Sequence, residues 1–441
     1  MKQKKSRYLL VLLLIVVLGI GYSYLNPLMP IITGYGAKKM CSNVFISGRD
    51  ADSIKEIDLS FSPIKFSSQK VNYEDSSVVS RFLWSKSKAI YRKGFGCQIL
   101  RDWTEEELKS QVYKVQKKEL PAEDPINWSI SSDNKQLETI SNALVVDRTY
   151  GGTPFAMVVL HNGNCVAEAY KPGVNTNTRL LSWSMAKSVT SALAGILVGQ
   201  GKLDIYAPTG LDIWQNDDRK NITTNDLMQM QSGLEWNEDY GSTSDVNIML
   251  HKVGDLAKYA EDKPLLDKPG TKWYYSSGST NIVSHILREK IGNDSLYYDL
   301  PENHLFNKIG IKDAVFEVDP AGTLVGSSYL YMRARDFARF GQLYLQNGEW
   351  NGEQILPKGW VDYTRTPACA SGGRYGSGFW LDASVRYPDV PKDTYSCNGH
   401  EGQHVLIIPS EDLVITVLGY SPKDNKIDYN RLVTDIMASI K

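Results

Sequence analysis

The sequence predicts an α/β protein of the α+β type, an antiparallel sheet flanked by helices with a mainly helical subdomain inserted. Three observations predict it. Phe155 to Leu160 is an apolar run that Asn162-Gly163 turns into a second strand through Val166 and Ala167, a two-residue hairpin signal. A second hairpin closes the chain, Val405 to Ile408 and Leu413 to Leu418 around Pro409-Ser410-Glu411-Asp412. The apolar residues between the hairpins recur mainly at helical spacing. Strands near both ends of a helical middle suit one sheet covered by helices, with a ligand cleft at the seam.

Bulk properties narrow the function. The chain has 441 residues, enough for two or three domains, and its 42% hydrophobic content is that of a globular protein. Lys and Arg number 49 against 50 Asp and Glu, so no polyanionic partner is indicated and nucleic-acid binding is not expected.

In chain order, residues 1–36 read as a membrane anchor or signal segment. Lys2, Lys4, Lys5 and Arg7 precede an uncharged stretch from Tyr8 to Gly36, most apolar over Leu9 to Ile20. Tyr22, Tyr24 and Leu25 are bulky where cleavage needs small residues, which favours a retained anchor. The basic flank places the N-terminus in the cytoplasm and the rest of the chain outside it, or secreted if the segment is cleaved. Residues 37–130 read as an irregular region without a catalytic constellation, ending in a linker around Pro121 and Pro125. Cys41 and Cys97 could pair there after export; with five cysteines one thiol stays free in a monomer.

A main domain spans 131–441. Leu137, Ile140, Leu144 and Val145 mark its first helix, Asn281 to Lys290 a later one and Leu432 to Ile440 the last. Its chemistry begins at Ser184-Met185-Ala186-Lys187. Ser-x-x-Lys occurs five times, from Ser62, Ser67, Ser85, Ser132 and Ser184, and only the last opens an apolar helical run, which Gly199 and Gly201 end. Residues three apart share a helix face, so Lys187 lies beside Ser184 as a base beside a nucleophile, with helix-end N–H groups available to an oxyanion. Pro269-Gly270 then delivers Tyr274-Tyr275-Ser276-Ser277, where a tyrosine hydroxyl can relay a proton if Lys187 lowers its pKa. Asn398-Gly399-His400-Glu401-Gly402-Gln403 leads into the strand Val405 to Ile408, a glycine-rich entry that brings backbone N–H groups close to a substrate.

Together these stretches resemble the serine beta-lactamase and penicillin-binding-protein superfamily, most of all its class C beta-lactamase-related esterases and the 6-aminohexanoate-dimer hydrolase branch. Ser184-Met185-Ala186-Lys187 is similar to its Ser-x-x-Lys, Pro269-Gly270 to Ser277 to its Pro-Gly and Tyr-x-Asn element, and His400-Glu401-Gly402 to the His-x-Gly variant of Lys-Thr-Gly. The resemblance implies a beta-lactamase-like fold and a serine hydrolase cleaving a small-molecule ester or amide through an acyl-enzyme. Ser184 would be the nucleophile, Lys187 and Tyr275 its proton handlers, and the N–H groups of Ser184 and Gln403 the oxyanion hole. Ser277, His400, Gly402, Trp183 and Trp236 would contact substrate, with no metal and no cofactor. Ser277 stands where many members carry asparagine, which implies a changed substrate, and the absent Lys-Thr-Gly lysine argues against beta-lactams.

Other readings stay open. His400-Glu401-Gly402-Gln403-His404 also spells the His-Glu-x-x-His zinc pattern, but glycines and the following strand residues oppose the helix it requires. A peptidoglycan D-amino-acid amidase or carboxypeptidase, or a non-catalytic sensor that keeps the cleft, fits the same motifs.

Overall fold

The computed structural model describes residues 2–112, 123–130 and 134–440. The linker around Pro121 and the boundary at 131–133 lie outside the described residues.

The chain opens with two helices, α1 (Lys2–Leu25) and α2 (Met29–Phe45). A four-stranded antiparallel sheet follows in sequential order, β1 (Ser68–Asn72), β2 (Ser77–Phe82), β3 (Ser85–Arg92) and β4 (Gly96–Ile99). This replaces the expected irregular region. Its strands carry Ser, Lys and Arg on the outer face, so alternation is weak in the sequence. The inner face, with Val78, Ala89 and Cys97, buries against Ala37, Met40 and Cys41 of α2. Cys41 and Cys97 are free thiols buried in the same cluster.

That packing changes the anchor as well. Leu10, Leu13, Ile15, Val17 and Leu18 of α1 are exposed, whereas Met29, Ile32 and Ala37 of α2 are buried in the protein. The stretch read as one segment through residue 36 is therefore divided. Among the described residues no single helix is long and apolar enough to cross a membrane; Leu10–Leu25 and Met29–Phe45 meet length and composition limits only as a pair bent by 43°.

The remaining chain matches the predicted architecture. After α3 (Lys135–Val145), the strands β5 (Thr153–His161) and β6 (Asn164–Tyr170) form the first hairpin. Asn162 and Gly163 take φ of 50° and 71°, the left-handed pair that a two-residue hairpin turn requires. The helical middle includes α4 (Ala186–Gly199), α5 (Ser277–Ile291) and α6 (Ala334–Leu345). Then come β7 (Tyr395–Gly399), β8 (Gln403–Ile408), β9 (Leu413–Tyr420) and α7 (Tyr429–Ser439). One antiparallel sheet joins both ends in the order β7-β8-β9-β5-β6. Successive side chains divide between its faces: Leu413, Ile415 and Val417 meet α3 and α7, while Val414 and Leu418 meet the core around α4 and α6.

Candidate active site

Ser184 lies in a 3-10 turn, Trp183–Met185, that feeds directly into α4. The turn raises its partly exposed hydroxyl at the helix entrance, and the first turn of α4 carries Lys187 behind it, 2% exposed. Lys187 Nζ is 3.1 Å from Ser184 Oγ, 3.0 Å from Ser277 Oγ and 3.0 Å from the Ser327 carbonyl oxygen. Ser277 Oγ donates its own proton to Glu238 Oε1 at 2.6 Å, so it can only accept from Lys187. The Ser327 carbonyl can only accept as well. A neutral amine thus uses both protons on these two groups and keeps its lone pair for the Ser184 hydroxyl. Burial favours that neutral form and pulls the Lys187 pKa down to about 8, against the opposing charge of Glu238.

The Tyr275 ring lies 4.8 Å from Lys187 Nζ, and its phenol is close enough to the Ser184 hydroxyl to be influenced by it. Its pKa differs from the sequence expectation. Burial, then the charge of Glu238, raise it, and they outweigh the lowering by the Ser184 hydroxyl. Tyr275 is a protonated phenol at neutral pH, suited to give a proton rather than take one. It stands in an aromatic wall with Trp273, Tyr375 and Trp380, whose centroids lie 6.4, 5.8 and 5.2 Å from its own.

Glu238 escaped the sequence reading. It accepts from the Ser277 hydroxyl and Tyr240 hydroxyl on one oxygen, and from the Ser277 N–H and Trp236 Nε1 on the other. The signal was present in the alternation Trp236-x-Glu238-x-Tyr240, which in an extended segment points the three side chains one way. Two expected substrate contacts are thereby reassigned. Ser277 is fully buried and bridges Lys187 to Glu238, and Trp236 is packed against Gly278, where an added methyl would come within 2.5 Å of its ring.

The third motif arrives on the sheet. Gly399 ends β7 against the turn that carries Ser184; an added methyl there would lie 2.3 Å from the Ser182 carbonyl oxygen. Gln403 opens β8 opposite it, its side-chain amide occupied by the backbone of Gly419. Gly402 has φ of 80°, a left-handed turn that glycine adopts without cost. His400 stacks on Tyr240 at 4.7 Å and meets Trp183 edge-on at 5.4 Å, so His400, Tyr240 and the buried Trp183 form one aromatic cluster beside Ser184. His404 sits instead in β8, its ring 4.2 Å from that of Tyr429, with a pKa pushed down to about 3 by burial and by Arg386. The two histidines of the zinc-like pattern lie on a turn and a strand, not on one helical face.

A serine, a buried lysine and a tyrosine brought together between an antiparallel sheet and a helical subdomain are the candidate site of a serine hydrolase. The chain belongs to the beta-lactamase family, whose model matches residues 148–434. A curated relative, the 6-aminohexanoate-dimer hydrolase of Paenarthrobacter ureafaciens, is 24% identical over 311 residues, covering 65% of this chain and 77% of that protein. A Bacillus anthracis protein provisionally named a 6-aminohexanoate-dimer hydrolase has the same fold, with a TM-score of 0.58 at 21% identity over 75% of this chain and 91% of its own. A class C beta-lactamase superposes with a TM-score of 0.52 at 14% identity, covering 71% of this chain and 98% of that one.

Proposed function

We propose that the protein cleaves a small ester or amide through an acyl-enzyme on Ser184. The observation that carries this is the set of three partners around Lys187 Nζ, two of which can only accept, so that the neutral amine has its lone pair left for the Ser184 hydroxyl. Ser184 Oγ attacks the carbonyl carbon as its proton passes to Lys187, the carbonyl oxygen becoming an oxyanion near the N–H groups of Ser184 and Gln403. The phenol of Tyr275 protonates the departing alcohol or amine and takes a proton back from the Lys187 ammonium; water then attacks the acyl carbon, giving a proton to Lys187, which returns it to Ser184 Oγ as the acid leaves. Net, the serine proton ends on the leaving group. Proton handling of this kind contributes roughly 10²–10⁴ in rate.

The aromatic clusters around Tyr275 and around His400, which stand near Ser184, suit a largely apolar acyl or leaving group. The name of the Paenarthrobacter relative makes linear ω-amino-acid amides a first class to assay. Catalysis outside the cytoplasm, with the chain tethered through α1, is part of the proposal; it is supported by the exposed apolar side chains from Leu10 to Ile20 and the basic residues before them.

The test is intact-protein mass after exposure to a fluorophosphonate, for the full chain and for Ser184→Ala. One adduct on the parent and none on the variant is expected. Absence of an adduct on folded parent protein contradicts the serine mechanism.

A further inference from the structure

Residues 29–110 lie outside the stretch matched by the family, yet α2 reaches the nucleophile turn. Two residues beside the reacting groups have left-handed backbones despite carrying side chains: Trp183, which precedes Ser184, with φ of 46°, and Glu401, between His400 and Gly402, with φ of 62°. Such conformations persist only where the surroundings over-determine them. Here the two hold each other, because Trp183 Nε1 donates to Glu401 Oε2 at 2.8 Å. Lys39 of α2 donates to the same oxygen at 3.0 Å, and Tyr35, one turn earlier, donates to Oε1 at 3.4 Å. The Lys39 ammonium also lies over the Trp183 ring at 4.7 Å.

We propose that Lys39 is a positioning residue for Ser184, acting through the carboxylate of Glu401. The Lys39 and Glu401 side chains are only 5% and 7% exposed. Burying a carboxylate is costly unless a cation is paired with it, and so paired it is a strong acceptor for Trp183 and Tyr35 together. Asp58, 3.6 Å from Lys39, is already held by Arg49 at 2.7 Å, which leaves Lys39 as the cation for Glu401. Removing Lys39 unclamps the turn before Ser184 and the turn before Gln403 at once. The N-terminal region therefore contributes to the reaction by fixing the geometry of the site without touching substrate.

This inference rests on Ser184 being the nucleophile, and one experiment separates the two. The rate constant and final amplitude of fluorophosphonate labelling are measured on the full chain, on Lys39→Met and on Lys39→Met/Glu401→Gln. For Lys39→Met we expect a rate constant about 10–100-fold lower, since ångström-scale misplacement of a reacting group costs about that much. The amplitude should still reach one adduct per folded chain, and the double variant, free of the unmatched charge, should regain much of the rate. If Lys39→Met yields too little folded protein, Glu401→Asn is read in the same way: asparagine suits the left-handed backbone but is too short for the clamp. A normal rate constant in Lys39→Met or in Glu401→Asn, or a loss in amplitude alone, overturns the inference. An unlabelled parent chain overturns the serine reading itself.

Discussion

At the scale of single residues, the site works by dividing two protonation states between neighbours. Burial lowers Lys187 to about 8 and raises Tyr275, so above about pH 8 a neutral amine and a neutral phenol flank the same hydroxyl. Tyr275→Phe keeps the ring and removes the proton donor; amide turnover should fall about 10²–10⁴-fold, read as kcat, whereas esters with good leaving groups lose less. Glu238 raises the Lys187 pKa, so Glu238→Gln should move the midpoint of the activity–pH profile to lower pH. Each Glu238 oxygen accepts two donors, and an amide can accept at only one end, so the same variant should be destabilised by about 1–3 kcal/mol in urea unfolding. Ser184, Lys187 and Tyr275 were legible because each stands in a short motif. Glu238 was not, because its meaning depends on Ser277, 39 residues away in the chain and 2.6 Å away in space.

At the scale of elements, close backbone approach sets the cleft. Gly399 lets β7 lie directly on the nucleophile turn, and a methyl would meet the Ser182 carbonyl at 2.3 Å. Gly399→Ala should therefore push strand and turn apart, slowing Ser184 labelling and destabilising the protein by about 1–3 kcal/mol, the usual range for overpacking. The two hairpins were legible in the sequence because the Asn162-Gly163 and Pro409-Ser410-Glu411-Asp412 turns and the continuous apolar runs beside them are local signals. The four-stranded sheet was hidden by the polar outer face of strands such as Ser85–Arg92, and its apolar cover, α2, begins in a run that looks like continuous membrane sequence. A periodicity argument fails where the partner that buries a surface lies far away in the chain.

At the scale of the whole molecule, the N-terminal part and the hydrolase are bound through buried charge as well as apolar area. Glu317, fully buried in the hydrolase part, accepts from Lys38 at 2.5 Å, from Ser42 at 3.0 Å and from the Cys97 N–H at 2.6 Å. A chain begun at residue 123 would leave that carboxylate without its cation, a loss of about 3–5 kcal/mol. It should be recovered unfolded or not at all, judged by near-UV circular dichroism. A chain begun at residue 27 keeps all three donors and should melt within a few degrees of the full protein. The central claim is that Lys187 takes the Ser184 proton as a neutral amine. The most direct measurement is the fluorophosphonate labelling rate of the full chain between pH 6 and pH 10. Because the base form gains population as pH rises, the rate should climb about tenfold per unit below pH 8 and level off above it. A rate independent of pH across that window would contradict Lys187 as the base.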